Sequence, residues 1–344
     1  QMLVGSALLS GPALLLETFD VTWNWQLVAA FLYTTIVPGL IATWVWFVLV
    51  GRIGAVKAGL PRWRGPDWHR HRLDWRALPV LSHPAWTKET LVSFHIKNLN
   101  VAYGNTPVIC GFDDLWSEGQ ITALIGCNGA GKSTLLRALA GLSPMQGVIS
   151  VSGGVLSPEE QRRQIAYMPQ DTSAQSSLTV LEVVLLGRLG SLGLRLPAGL
   201  AEQAMAALDT FGLAALQARQ LDEISGGQRQ LVFLPQALFR QPRVLLLDEP
   251  TAALDLRHQL LVLDRLRKVA RQNGTIIGLA MHDLNLAAQY ADRIVGLSGG
   301  KKTASGPAVE VLTAQNLRAM YGIEAKITLD AQNHPQVQPI RAVE

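Results

Sequence analysis

Two textures divide the chain. Residues 26–50, QLVAAFLYTTIVPGLIATWVWFVLV, run for 25 positions without a formal charge, and residues 2–16 form a shorter apolar run. At 1.5 Å per residue the longer run spans roughly 37 Å, enough for a ~30 Å hydrocarbon core with some tilt. It predicts one or two transmembrane helices. From Val92 the texture changes to short apolar runs alternating with amphipathic ones, which predicts the strands and helices of an α/β domain. Residues 121–125 read as a buried strand. They lead through a glycine-rich loop into LLRALAGL, a helix with apolar periodicity. Residues 244–247 (VLLL) and 275–280 (TIIGLA) read as two more buried strands.

Charge follows the same division. The 344 residues carry a net +4, with 49% hydrophobic and 16% charged positions, which excludes a disordered chain. Residues 1–51 hold two acids and no Lys or Arg. Residues 52–91 hold eight bases against three acids, and residues 92–344 hold 22 against 21. The positive charge is therefore a local band. It lies just after the apolar runs, where the positive-inside rule makes that flank cytoplasmic and places Glu17 and Asp20 outside. The large domain is nearly neutral, which argues against a nucleic-acid partner. Eight of the nine Trp precede Thr87, and Trp23, Trp25, Trp44 and Trp46 suit interfacial anchors. Residues 61–91, rich in Pro, Arg and Trp, read as a linker along a membrane surface. No basic segment precedes either apolar run, which argues against a signal peptide. His69, His71 and His83 have no Cys or carboxylate at ligand spacing and read as solvated linker residues. The two cysteines, Cys110 and Cys127, exclude a disulfide framework and suit a reducing cytoplasm.

The chemistry begins at residues 126–134, GCNGAGKST. This matches G-x-x-x-x-G-K-[ST] in its strand–loop–helix setting, a phosphate-binding loop. Gly126, Gly129 and Gly131 let the backbone wrap closely round phosphates, with amides pointing inward at a helix N-terminus. Lys132 reaches β- and γ-phosphates, and the Ser133 hydroxyl suits Mg²⁺. A second element, residues 244–250 (VLLLDEP), ends a strand in two acids. Asp248 suits Mg²⁺, and Glu249 is placed to polarise an attacking water. A nucleotide-hydrolysing enzyme follows, although this pair of motifs also fits kinases, GTPases and helicases.

Residues 224–230, ISGGQRQ, discriminate among these. With them the chain resembles the ATP-binding subunits of ABC transporters over residues 92–325. The resemblance implies a P-loop ABC ATPase fold: a RecA-like core, an antiparallel β subdomain and a helical subdomain. It implies ATP and Mg²⁺ as cofactors, and a homodimer in which Ser225, Gly226, Gly227 and Gln228 close on the nucleotide of the partner. It also implies that Asn128 and Thr134 join the phosphate site and that Tyr103 stacks on adenine. Gln170 links Mg²⁺ and the attacking water to the permease contact, His282 touches the γ-phosphate, and Asp255 belongs to a loop crossing the dimer interface. Catalytic roles fall to Glu249, His282 and Gln170, and metal contacts to Ser133, Gln170 and Asp248. Three departures stand out: Ile224 where Leu is usual, Cys127 where Pro is common, and Pro235 inside the helix after the signature. An interior proline costs about 3 kcal/mol, so that helix is expected to kink or weaken.

Residues 177–190, 257–259, 282–301 and 306–327 resemble ferric-siderophore, haem and cobalamin importers. That implies permease subunits, a substrate-binding protein and a place on the cytoplasmic face of the cell membrane. Other readings are an importer of different cargo, such as metal ions, and a non-transport ABC ATPase. Residues 1–60 resemble the end of a drug/metabolite-type permease. The expected organisation is a membrane hairpin fragment at 1–60, a linker at 61–91, the ATPase domain at 92–327 and a tail at 328–344.

Overall fold

In the computed structural model, residues 92–170, 176–188 and 199–343 are described. The expected membrane hairpin and linker lie outside them. Among the described residues no helix is long and apolar enough to cross a membrane.

β1 (Ser93–Tyr103) and β2 (Thr106–Ser117) pair antiparallel across a tight turn at Gly104. β4 (Gln146–Val151) and the short β5 (Gly154–Val155) complete a four-stranded sheet in the order β2-β1-β4-β5. The central sheet has six strands. They are β3 (Ile121–Ile125), β6 (Ile165–Met168), β7 (Val244–Asp248), β8 (Ile276–Ala280), β9 (Arg293–Ser298) and β10 (Lys301–Gly306), in the order β10-β9-β3-β8-β7-β6. All pairings are parallel except that of β10 with β9. Every residue of β3, β7 and β8 is buried, because a parallel sheet is covered on both faces.

Side-chain alternation splits these strands between two cores. Leu124, Leu246 and Ile276 meet α1 (Lys132–Leu139) and the antiparallel sheet through Phe94, Phe112 and Trp116. Gly278 in β8 makes room for the indole, since a Cβ there would come within 2.4 Å of Trp116. Ile125, Leu245, Leu247 and Ile277 face the other way, toward α6 (Leu256–Asn273) and a helical subdomain of α3 (Val180–Leu186), α4 (Leu200–Thr210) and α5 (Gly226–Phe239). Local chemistry sets the helix starts. Ser157–Glu160 at α2 (Pro158–Gln164), Thr179–Glu182 at α3 and Ser225–Gln228 at α5 are reciprocal capping boxes.

The helix after the signature continues through Pro235, since α5 runs on to Phe239. The proline ring costs the Leu231 carbonyl a donor. The helix is held by burial of Leu231, Val232 and Leu234, and by Arg188, whose Nε donates to the Phe239 carbonyl at 2.7 Å. The residues expected as a tail, 328–344, include the end of one strand and the whole of another. α7 (Leu284–Tyr290), α8 (Ala308–Val311) and α9 (Ala314–Tyr321) lead into a hairpin of β11 (Ile323–Leu329) and β12 (Pro335–Ala342), so the expected boundary falls inside a strand. The Val337 amide donates to Asn285 Oδ1 at 2.7 Å, which ties the hairpin to α7.

Candidate functional site

Parallel strands of an open α/β sheet present their ligand crevice at their C-terminal ends, and the predicted site residues gather there. β3 ends at Ile125 and leads into Gly126, where φ is +149° and any Cβ would fall 2.3 Å from the Leu297 carbonyl, so only glycine fits. The loop closes at Gly131, which has φ +101° and lies directly before α1. The first amides of α1, at Lys132, Ser133 and Thr134, have no carbonyl within their own helix to bond. Asn128 and Gly129 are exposed on the crest of the loop. Lys132 folds back across it, donating from Nζ to the carbonyls of Gly126 at 2.8 Å and Cys127 at 3.2 Å. Burial lowers the pKa of this lysine, against an opposing pull from Glu249, Cys127 and Asp248.

Ser133 Oγ donates to Asp248 Oδ1 at 3.0 Å, joining the helix start to the end of β7. The Tyr167 hydroxyl on β6 donates to Asp248 Oδ2 at 3.2 Å. Burial raises the pKa of Asp248, and these two hydrogen bonds oppose the rise. Burial also pushes the Tyr167 phenol well above the ordinary tyrosine value. One residue on, Glu249 takes the left-handed conformation at φ +50°, a strained geometry for a non-glycine residue. Its carbonyl accepts from Gln230 Nε2 at 3.0 Å and from the Ala252 amide at 3.2 Å. Its carboxylate accepts from Gln170 Nε2 at 2.7 Å through Oε2, while Oε1 meets His282 Nε2. Lys132, Ser133, Gln170, Asp248, Glu249 and His282 thus form one cluster built from the ends of β3, β6, β7 and β8.

The other predicted residues lie apart from this cluster. Tyr103 is 50% exposed at the end of β1. Ser225 and Gln228 cap their own helix, with Ser225 Oγ accepting from the Gln228 amide. Asp255 caps α6 through the His258 amide at 2.8 Å. Gly226 has open space around it. Gly227 lies against the loop before Asp255, where a Cβ would approach the Ala253 carbonyl to 3.2 Å.

The sequence matches the ABC transporter family across residues 115–252. It is 39% identical over 244 residues to the hemin import ATP-binding protein HmuV of Jannaschia sp. (strain CCS1), an alignment covering 67% of this chain and 88% of that protein. The chain belongs to the ABC transporter ATP-binding family. It is also 36% identical to the achromobactin transport ATP-binding protein CbrD of Dickeya dadantii (strain 3937), covering 69% of this chain and 91% of that one. Among solved structures, an inward-facing metal-chelate type ABC transporter matches with a TM-score of 0.63 and 28% identity, covering 73% of this chain and 98% of the other.

The chain is therefore an ABC ATPase, an ATP-binding and ATP-hydrolysing transport enzyme whose fold is the P-loop ABC fold. Three residues of this ABC ATPase escape sequence reasoning. Tyr167 touches Asp248, Gln230 touches Glu249, and Tyr321 accepts from the Gly126 amide at 2.8 Å. The family resemblance pointed to Gln170 but assigned nothing to the tyrosine three residues earlier. Gln230 closes the ISGGQRQ segment but was assigned no role, and nothing local in the sequence marks Tyr321.

Proposed function

We propose that this ATPase powers uptake of ferric siderophore, or of haem or cobalamin, across the cytoplasmic membrane, as the ATP-hydrolysing subunit beneath membrane permease components. The convergence of Gln170 and His282 on Glu249, beside the phosphate loop, carries the hydrolytic half of the reading. The hemin and achromobactin transport proteins among its relatives support the cargo class.

In this reading the α1 amides, Gly129, Gly131, Lys132 and Thr134 hold the β- and γ-phosphates, and Tyr103 stacks on adenine. Glu249 accepts a proton from the attacking water, oriented by Gln170 and His282. The Ser133 hydroxyl and Asp248 carboxylate, 3.0 Å apart, are hard oxygen donors of the kind Mg²⁺ takes. They would hold the ion with Gln170. When bound, Mg²⁺ neutralises charge on the β- and γ-phosphates. In a homodimer, Ser225, Gly226, Gly227 and Gln228 of each copy face the nucleotide of the other across the Asp255 loop. A substrate-binding protein delivers cargo outside. The 25-residue uncharged run in residues 1–60 supports a membrane hairpin, followed by the basic linker at 61–91 and the ATPase domain on the cytoplasmic side.

The test is uptake of radiolabelled ferric siderophore, haem and cobalamin in cells deleted for this chain. One of the three is expected to fall and to be restored by the native chain but not by Glu249→Gln. Unchanged uptake of all three, with loss of another substrate such as zinc, would sink the cargo assignment and leave the ATPase in place.

A further inference from the structure

Gly126 begins the phosphate loop at the end of the β3 ladder, so its amide needs an acceptor from elsewhere. That acceptor is the hydroxyl of Tyr321, 195 residues further on, at 2.8 Å. The neighbouring Met320 is buried against β9. A Cβ on Gly296 would come within 2.4 Å of its sulfur, and Gly296 is the β9 partner of Ile125, the residue before Gly126. Two consecutive side chains of α9 therefore meet the Gly126 amide and the neighbouring β9 backbone where strand becomes loop. The Leu297 carbonyl of β9 also lies close to Gly126, where a Cβ would come within 2.3 Å of it.

α9 is itself held firmly. Thr313 Oγ1 accepts from the Asn316 amide at its start, and Gly322 ends it in the left-handed conformation. The Val343 amide donates to the Gly322 carbonyl at 2.6 Å, so the end of the C-terminal hairpin closes onto the end of α9. Asn285 and Val337 fix the same hairpin to α7, three residues after His282.

We propose that Tyr321 is a positioning residue for ATP binding: its hydroxyl sets the conformation of the phosphate loop at Gly126, and the α9–hairpin module holds that hydroxyl in place. The inference rests on the assignment of residues 126–134 as the phosphate site. Burial pushes the Tyr321 phenol up to about 12, so it keeps its proton throughout the physiological range and serves as a neutral acceptor.

The experiment compares the 344-residue chain with Tyr321→Phe, which keeps the ring and removes only the hydroxyl. Hydrogen exchange at the Gly126 amide is expected to accelerate about tenfold, the equivalent of one lost hydrogen bond, with the β3 amides unchanged. The Kd and KM for MgATP are expected to rise about fivefold, with a smaller change in kcat at saturating ATP. An unchanged Kd overturns the proposal, whatever the exchange shows. A raised Kd with unchanged Gly126 exchange and a lowered thermal midpoint assigns the effect to general destabilisation and overturns it as well. Lys132→Ala, measured alongside, tests the underlying assignment. Retained MgATP binding in that variant overturns the phosphate site and the proposal with it, whereas lost binding there together with native behaviour of Tyr321→Phe overturns the role of Tyr321 alone.

Discussion

The buried side chain of Gln230 donates to the backbone carbonyl of Glu249 at 3.0 Å, joining the signature helix α5 to the end of β7. Glu249 sits at φ +50°, so its backbone needs support. Gln230 and the Ala252 amide provide it. Gln230→Leu preserves volume and removes the donor. It is expected to lower kcat about tenfold while leaving the Kd for ATP within about twofold, because the phosphate loop is untouched. Steady-state ATPase assays paired with nucleotide titration check it. A change confined to Kd would refute the link between the two elements.

Glu249→Gln removes the carboxylate proposed to accept the proton of the attacking water and keeps the shape of the side chain. Hydrolysis is expected to fall at least about a hundredfold, with ATP binding retained and an ATP-bound dimer accumulating on size exclusion. Full turnover by this variant would end the assignment of Glu249 as base.

Asp248 carries a raised pKa in the folded protein, caused first by burial. For an acid, a folded pKa above the unfolded one favours the native state at low pH. That contribution is lost as pH rises from the ordinary carboxylate range through the raised value. At neutral pH the ionised, buried group is therefore a net cost. Asp248→Asn is expected to raise the thermal midpoint of the nucleotide-free protein at pH 7, with the gain shrinking as pH falls toward about 4. It should also abolish Mg²⁺-dependent hydrolysis. Thermal melts across pH test the sign, and a gain that grows on acidification would contradict it.

Gly187 follows α3 where the helix meets α5. A Cβ there would lie 2.3 Å from the Gln236 carbonyl. Gly187→Ala is expected to destabilise the fold by about 2 kcal/mol, a fall of roughly 5 °C in thermal midpoint, by forcing the two helices apart. ATP affinity should be preserved, since the contact lies in the helical subdomain. A variant that melts with the native protein would show that the helices part at no cost.

The legible part of this site was the part whose chemistry is contiguous. The loop from Gly126 to Thr134, the acids Asp248 and Glu249, and the segment from Ser225 to Gln228 each pack several constrained residue types into a few positions. A local pattern therefore exposes them. Gln230 and Tyr321 act through one hydrogen bond each, to partners 19 and 195 residues away. Neither the glutamine that closes ISGGQRQ nor a tyrosine at a helix end carries a local sign of such a partner. The C-terminal hairpin was passed over for a different reason. Its strands are only partly buried, so their alternation is weak, although the Asp330 side chain accepting from the Gln332 and His334 amides marks the turn between them. Pro235 shows the opposite case. A local rule predicts a kinked or weakened helix there, yet the helix continues to Phe239, with Leu231, Val232 and Leu234 buried.

The four strands that end in the site stand side by side, in the order β3, β8, β7, β6. Neighbouring parallel strands are held about 4.8 Å apart by their backbone hydrogen bonds. The lateral intervals between phosphate loop, His282, Glu249 and Gln170 are thus graduations on a ruler made of main chain, which no side-chain substitution can rescale. Loops and helices around that ruler are free to diverge toward different membrane partners, and the hydrolytic end stays in calibration.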